Sequence, residues 1–140
     1  MSDVFTEVLK VSTQGKGLYE ITEALDRALS RSGLSEGVLT VFCRHTSASL
    51  VITENADPTA RADVHAFLER MAPENAPYTH TLEGREDAAS HIKAAMARTS
   101  ESIPFFNSRL CLGTWQGVFV WEHRSIAHTR EVVLSVIGRV

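Results

Sequence analysis

The sequence predicts a single α+β domain, spanning residues 1–140, with a mixed or largely antiparallel sheet and about three helices. Three observations lead there. The chain reads in the order β, α, β β, α, α, β β β, so neighbouring strands recur without a helix between them. Its 140 residues, 44% hydrophobic and 22% charged, have ordinary globular composition and suffice for one core. No internal repeat, charge block or low-complexity tract suggests a linker.

Taken in order, Val4 to Ser12 reads as a strand, and Gly15 and Gly17 supply a flexible turn. Ile21, Leu25, Ala28 and Leu29 recur at helical spacing, with Thr22 as a cap and Gly33 at the left-handed exit. Gly37–Arg44 and Ser49–Glu54 are rich in β-branched and aromatic residues and read as consecutive strands. Asp57 and Pro58 look like N-cap and first-turn proline of a second helix, whose inward face would hold Val64, Phe67, Leu68 and Met71. A third helix follows the polar segment Tyr78–Asp87, capped by Asp87 or Ser90, with Ile92 and Met96 one turn apart and His91 in its first turn. Beyond Pro104 the expected strands are Arg109–Gly113, Val118–Glu122 and Glu131–Ile137.

A formal net charge of −3 argues against a nucleic-acid partner, whose phosphates would demand a basic face. No basic start with an apolar run opens the chain, and no apolar stretch is long enough to span a bilayer, so a soluble cytoplasmic protein is expected. Cys43 and Cys111 both lie in apolar runs and read as buried, reduced thiols.

The segment His45–Asp63, HTSASLVITENADPTARAD, sets chemically capable side chains in what otherwise looks like core strand. A histidine, three hydroxyls (Thr46, Ser47, Ser49) and then Glu54, Asn55 and Asp57 are costly to bury without a use, which marks a candidate active site. HTSAS at 45–49, ENADP at 54–58, the pair Tyr78 and His80, EGREDAASHIKAAM at 83–96, GTWQG at 113–117 and EHR at 122–124 together resemble the YjbQ family over essentially the whole chain. The resemblance implies an α+β subunit, a homotrimer with a polar pocket near the subunit contacts, and a weak, secondary thiamine-phosphate synthase activity. His123 and Arg124 depart from the aspartate and proline-containing turn that many members carry after the glutamate.

His45, His80 and His91 are too far apart for a local metal motif, but the resemblance includes all three, and three imidazoles with an open position would make a zinc-like site. Ordinary hydrogen bonding or exposure is the competing reading of each. His45, His91, Glu54 and Glu122 are the acid/base candidates. Thr46, Ser47 and Ser49 can donate to a phosphate, and Lys93 and Arg124 can neutralise one; solvated surface charge is the plain alternative for the last two. Asn55 and Asp57 are counted as substrate-binding, although Asp57 serves equally as a helix cap. Trp115 and Gln116, between two glycines, could stack on and hydrogen-bond a flat heterocycle, or Trp115 could simply pack. His65 and His128 are expected at the surface.

No P-loop is present. A divalent metal, zinc by preference, is the expected cofactor, and no organic cofactor is expected. Three functions remain: an enzyme coupling a pyrimidine pyrophosphate to a thiazole phosphate, a metal-dependent hydrolase, and a trimeric ligand-binding module without turnover.

Overall fold

The computed structural model describes residues 2–140. Eleven elements follow one another: β1 (Asp3–Thr13), β2 (Gly17–Glu20), α1 (Thr22–Ser32), β3 (Glu36–Cys43), β4 (Ala48–Glu54), α2 (Pro58–Met71), α3 (Arg85–Met96), β5 (Ser100–Phe106), β6 (Arg109–Leu110), β7 (Gln116–Glu122) and β8 (His128–Arg139). The fold is α+β with three helices and wholly antiparallel pairing, as expected.

Five strands form one sheet in the order β1-β8-β3-β5-β6, and three form a second in the order β2-β7-β4. The inward rows of the large sheet, Leu39 and Val41 of β3 and Val132, Leu134 and Val136 of β8, share one core with Ala48, Leu50, Val118 and Val120 of the small sheet. Leu25, Ala28 and Leu29 of α1 complete it. Helices α2 and α3 cover the other face of the small sheet: Trp121 meets His65 of α2, and Arg61 of α2 lies over Phe119. With both faces covered, the two strands lose the alternation of a half-exposed strand: β7 is buried from Gly117 to Glu122, and β4 is buried from Ala48 to Leu50 and half-buried beyond.

Several local expectations change. Leu18 and Tyr19, expected in no element, form edge strand β2, which pairs with β7. β5 also went unpredicted, because Pro104 lies within it; a proline without an N–H is tolerated where a strand is paired along only part of one side. The strand expected at Arg109–Gly113 shrinks to Arg109–Leu110. Thr22 does not cap α1 through its side chain; its hydroxyl donates to Glu20 and accepts from the Val118 amide, tying the helix to β7.

In α2, Phe67 and Met71 are exposed and Leu68 alone is fully buried. Helix α3 starts from Gly84 rather than from Asp87 or Ser90, so His91 falls mid-helix and not in the first turn. Its buried face is Asp87, Ala88, Ala89, Ser90, Lys93 and Ala94, while Ile92 and Met96 point outward. Small alanines let α3 approach β4 closely, and the buried charges on that face all have partners, as burial requires. Cys43 is buried and free, but Cys111 is exposed, between Leu110 and Leu112, which pack against the core in its place.

Candidate functional site

Strand β3 ends at Cys43, and the short connection to β4, residues 44–47, crosses the rim where the two sheets meet α3. A cavity of about 490 Å³ opens there, lined by His45, Thr46, His80, His91, Ala94, Ala95 and Thr99. A second lobe of about 460 Å³ shares His45, Thr46 and Thr99 and adds Phe42, Cys43, Arg44, Ser47 and Arg130.

Asp87, itself buried, turns one carboxylate oxygen, Oδ2, toward two histidines of the first lobe, with His80 Nε2 and His91 Nε2 each 3.1 Å away. Its other oxygen, Oδ1, accepts from Nη1 of Arg124 at 2.7 Å. His91 donates from Nδ1 to the Thr46 carbonyl at 2.8 Å, which fixes its tautomer. Arg124 is held in turn by Glu86, whose carboxylate accepts from Arg124 Nε at 3.1 Å and the Ser125 amide at 2.8 Å. Burial pushes the Glu86 carboxyl up, but hydrogen bonds from Ser125 and Arg124 outweigh it and hold the pKa at about 2. The ligand atoms of His80, Asp87 and His91 all lie within 4.8 Å of one another, a grouping able to hold a metal ion.

Beneath the second lobe runs a buried ion pair. Arg130 grips Glu122 through Nε at 2.7 Å and Nη2 at 2.5 Å, and Nη2 also donates to the Ser47 hydroxyl at 2.9 Å. Glu122 is fully buried and accepts further bonds from the Thr13 hydroxyl at 2.6 Å and the Arg124 amide at 3.1 Å. Burial raises its pKa, but the bonds from Arg130, Thr13 and Arg124 bring it below the usual carboxylate value. Glu122 therefore anchors Arg130 instead of meeting substrate.

Of the predicted residues, His45, Thr46, His80 and His91 gather in one cleft, with Ser47 beside it. The metal-competent set differs from the expected one, because Asp87 stands where His45 was anticipated. His45 accepts the Glu131 amide on Nε2 at 2.8 Å, and burial followed by the charge of Arg130 lowers its pKa. It lines the cleft as a neutral ring.

The remaining candidates serve the framework. Ser49 is fully buried and bonds the His123 ring at 2.9 Å. Lys93, 1% exposed, is spent on Glu69, and Arg124 on Glu86 and Asp87, so neither is free for phosphate. Glu54 accepts the Ala56 and Asp57 amides, Asn55 donates to Glu20, and Asp57 caps α2 by accepting the Thr59 amide at 2.9 Å. The ENADP segment is thus a braced turn. Gln116 pairs with Glu54 at the far end of the β4–β7 ladder from Glu122, about 20 Å away by strand rise, so Trp115 and Gln116 lie outside the cleft within one subunit. Trp115 is exposed, and Gln116 folds back onto the Gly113 amide.

Sequence reasoning missed the functional standing of Asp87 and Arg130. Asp87 offered one signal, its placement four residues before His91, which puts both side chains on one helical face. Arg130 offered another, since it interrupts the inward row Val132, Leu134, Val136 of β8 with a charge. His65 is half-buried, not at the surface, and accepts the Trp121 indole N–H at 3.0 Å.

Fold and site together define a class: a small antiparallel α+β domain with a histidine-bearing cleft over a buried arginine–glutamate pair. The chain belongs to the UPF0047 protein family, YjbQ-like, whose model matches residues 7–139. It is 48% identical over 135 residues to the UPF0047 protein sll1880 of Synechocystis, covering 96% of this chain and 92% of that one. It is 36% identical to the UPF0047 protein YjbQ of Escherichia coli O157:H7, covering 96% and 98%. Among solved structures, a YjbQ/UPF0047 family protein of Clostridium acetobutylicum superposes with a TM-score of 0.82 at 35% identity, covering 94% of this chain and 98% of that one. A YbjQ-like protein of unknown function from Sulfolobus solfataricus shares the fold at a TM-score of 0.91 and 23% identity, covering 99% and 100%. Among the described residues, no helix is long and apolar enough to cross a membrane.

Proposed function

We propose that the chain is a small-molecule enzyme that uses a divalent cation, zinc by preference, held by His80, Asp87 and His91 to act on a phosphorylated substrate in the adjoining cleft. The contact between His91 and Asp87 carries this reading. His91 Nδ1 keeps its proton to reach the Thr46 carbonyl, so in the neutral ring Nε2 is a lone pair, and it faces a second acceptor, Asp87 Oδ2, at 3.1 Å. Two acceptors so close call for positive charge between them. Ligands about 2.0–2.1 Å from one tetrahedral ion lie about 3.3 Å apart, so the 3.1 Å spacing of Asp87 Oδ2 from each histidine suits a shared ion. His80 would supply a third ligand, and two imidazoles with one carboxylate would leave a fourth position for water or substrate.

A cation there would supply charge for a departing phosphate oxygen or lower the pKa of a bound water. The chain's own part is to hold the ligands: Thr46 fixes the His91 tautomer, and Arg124 secures Asp87. The reaction we propose, as a secondary activity that the family resemblance implies, is coupling of a pyrimidine pyrophosphate with a thiazole phosphate. That step breaks the pyrimidine's carbon–oxygen bond to pyrophosphate and forms a carbon–nitrogen bond to the thiazole, so the main demand on the protein is to stabilise the leaving pyrophosphate. Hydrolysis of a phosphate ester is the second reading, favoured by that fourth position for water.

Incubation with both phosphorylated precursors and a divalent cation tests the reading. The expected result is thiamine phosphate, formed at least about tenfold more slowly by His80→Ala and His91→Ala. Equal rates in the variants would remove His80 and His91 from the reaction, and ligand binding with neither coupling nor phosphate release would leave a binding module without turnover.

The resemblance also implies a homotrimer, and the outer face of the large sheet supports self-association. Val4, Ile137 and Val38 sit side by side across β1, β8 and β3, as do Val8, Val133 and Phe42, and all but the half-buried Val133 are exposed.

A further inference from the structure

We infer that the lobe between His45, Arg44 and Arg130 is an oxyanion subsite that receives the phosphate or carboxylate end of the substrate. The inference rests on the reading of this cleft as a substrate site, and not on the cation. Its starting point is a conflict in hydrogen bonding at His45.

His45 Nε2 receives the Glu131 amide at 2.8 Å, while Nη1 of Arg130 stands 3.5 Å from Nδ1. A neutral imidazole has one acceptor nitrogen, not two. The short backbone bond claims Nε2, so Nδ1 bears the ring proton, and a protonated ring would carry one there as well. Arg130 Nη1 and His45 Nδ1 therefore confront each other donor to donor. Both belong to the wall of the second lobe.

Among the described residues, no protein group resolves this. Glu122 occupies Nε and Nη2 of Arg130, on the edge of the guanidinium away from Nη1, and Ser47 takes the rest of Nη2. An oxygen that only accepts, set against both N–H groups, removes the conflict and gains a charge-assisted bond from an arginine 4% exposed. Arg44 adds a second cation on the same lobe, its pairing with Glu131 loose at 3.6 Å. Thr46 and Thr99, which line both lobes, offer hydroxyl donors on the way to the histidine pair.

The arrangement orders the substrate. Its anionic end lies over Arg130, and the bond to be broken reaches the lobe of His80 and His91. Lys93 and Arg124, the cations that sequence favours for phosphate, are committed to carboxylates, which leaves Arg130 and Arg44 for that task.

Titration of chelator-treated protein with inorganic phosphate, followed by backbone and imidazole NMR shifts, tests the subsite without the cation. Saturable shifts at Arg44, His45 and Arg130 are expected, with affinity at least fivefold weaker in His45→Phe and in the exposed Arg44→Gln, and unchanged in His80→Ala. A parallel acetate titration identifies the preferred oxyanion, and tighter binding of either supports the subsite. Absence of saturable binding for both anions, shifts centred on His80 and His91, or equal affinity in Arg44→Gln and wild type would overturn it. Because no cation is present, failure here is separable from failure of the turnover assay.

Discussion

His123 illustrates how burial sets the behaviour of a single residue. Its ring is fully buried, bonded to Ser49 on Nε2, and Nδ1 finds no partner among the described residues. Burial first, and the nearby Lys93 charge second, lower its pKa to about 3. An unfolded histidine titrates near about 6.5. Between these values the unfolded chain binds one proton more than the folded one, so stability falls as pH falls through that window. Wild-type stability should therefore drop by about 1.4 kcal/mol per pH unit more than that of His123→Gln between about pH 6 and pH 4, measured by urea unfolding across pH. Parallel slopes would mean that His123 is charged in the folded state. In the sequence this residue looked only like a departure from the family's usual turn. Its burial was not legible, because it follows from α2 and α3 closing over the outer face of the small sheet.

At the scale of elements, legibility followed local chemistry. The Asp57–Pro58 start of α2 was readable, since a capping carboxylate and a first-turn proline act within one turn of chain. Replacing Asp57 with Ala removes the acceptor for the Thr59 amide and should cost about 1 kcal/mol by chemical unfolding. A loss within error would show that Glu54, which braces the same turn, suffices. Helix α3 was the harder case. Its sequence showed Ile92 and Met96 one turn apart, yet both are exposed and the buried face holds alanines and paired charges. Hydrophobic periodicity misleads wherever a helix buries ions, because partners such as Glu69 and Arg124 come from distant segments. The same blindness hid Asp87: as a sequence letter it is a helix cap, and only the packing of α3 on β4 and the reach of Arg124 make it the centre of a cluster.

For the whole molecule, the two sheets carry the argument. Stacking them on one core places the His45–Ser47 connection at their rim, beside α3, so a cleft forms from residues more than forty positions apart. The exposed row Val4, Val8, Val38, Phe42 and Ile137 lies on the far side of the large sheet. Light scattering at micromolar concentration should give about three times the 15.4 kDa chain mass, and Val8→Lys should reduce it to one chain. A wild-type monomer would remove the role given to that face. Phe42 also borders the second lobe, so dissociation is expected to weaken anion binding as well.

The most direct test of the account is elemental analysis of protein purified without chelator and refilled with zinc, comparing wild type with His45→Ala, His80→Ala, Asp87→Asn and His91→Ala. One ion per chain that persists in His45→Ala and is lost from the other three is the predicted result. Retention in Asp87→Asn together with loss in His45→Ala, or no bound metal in wild type, would contradict it.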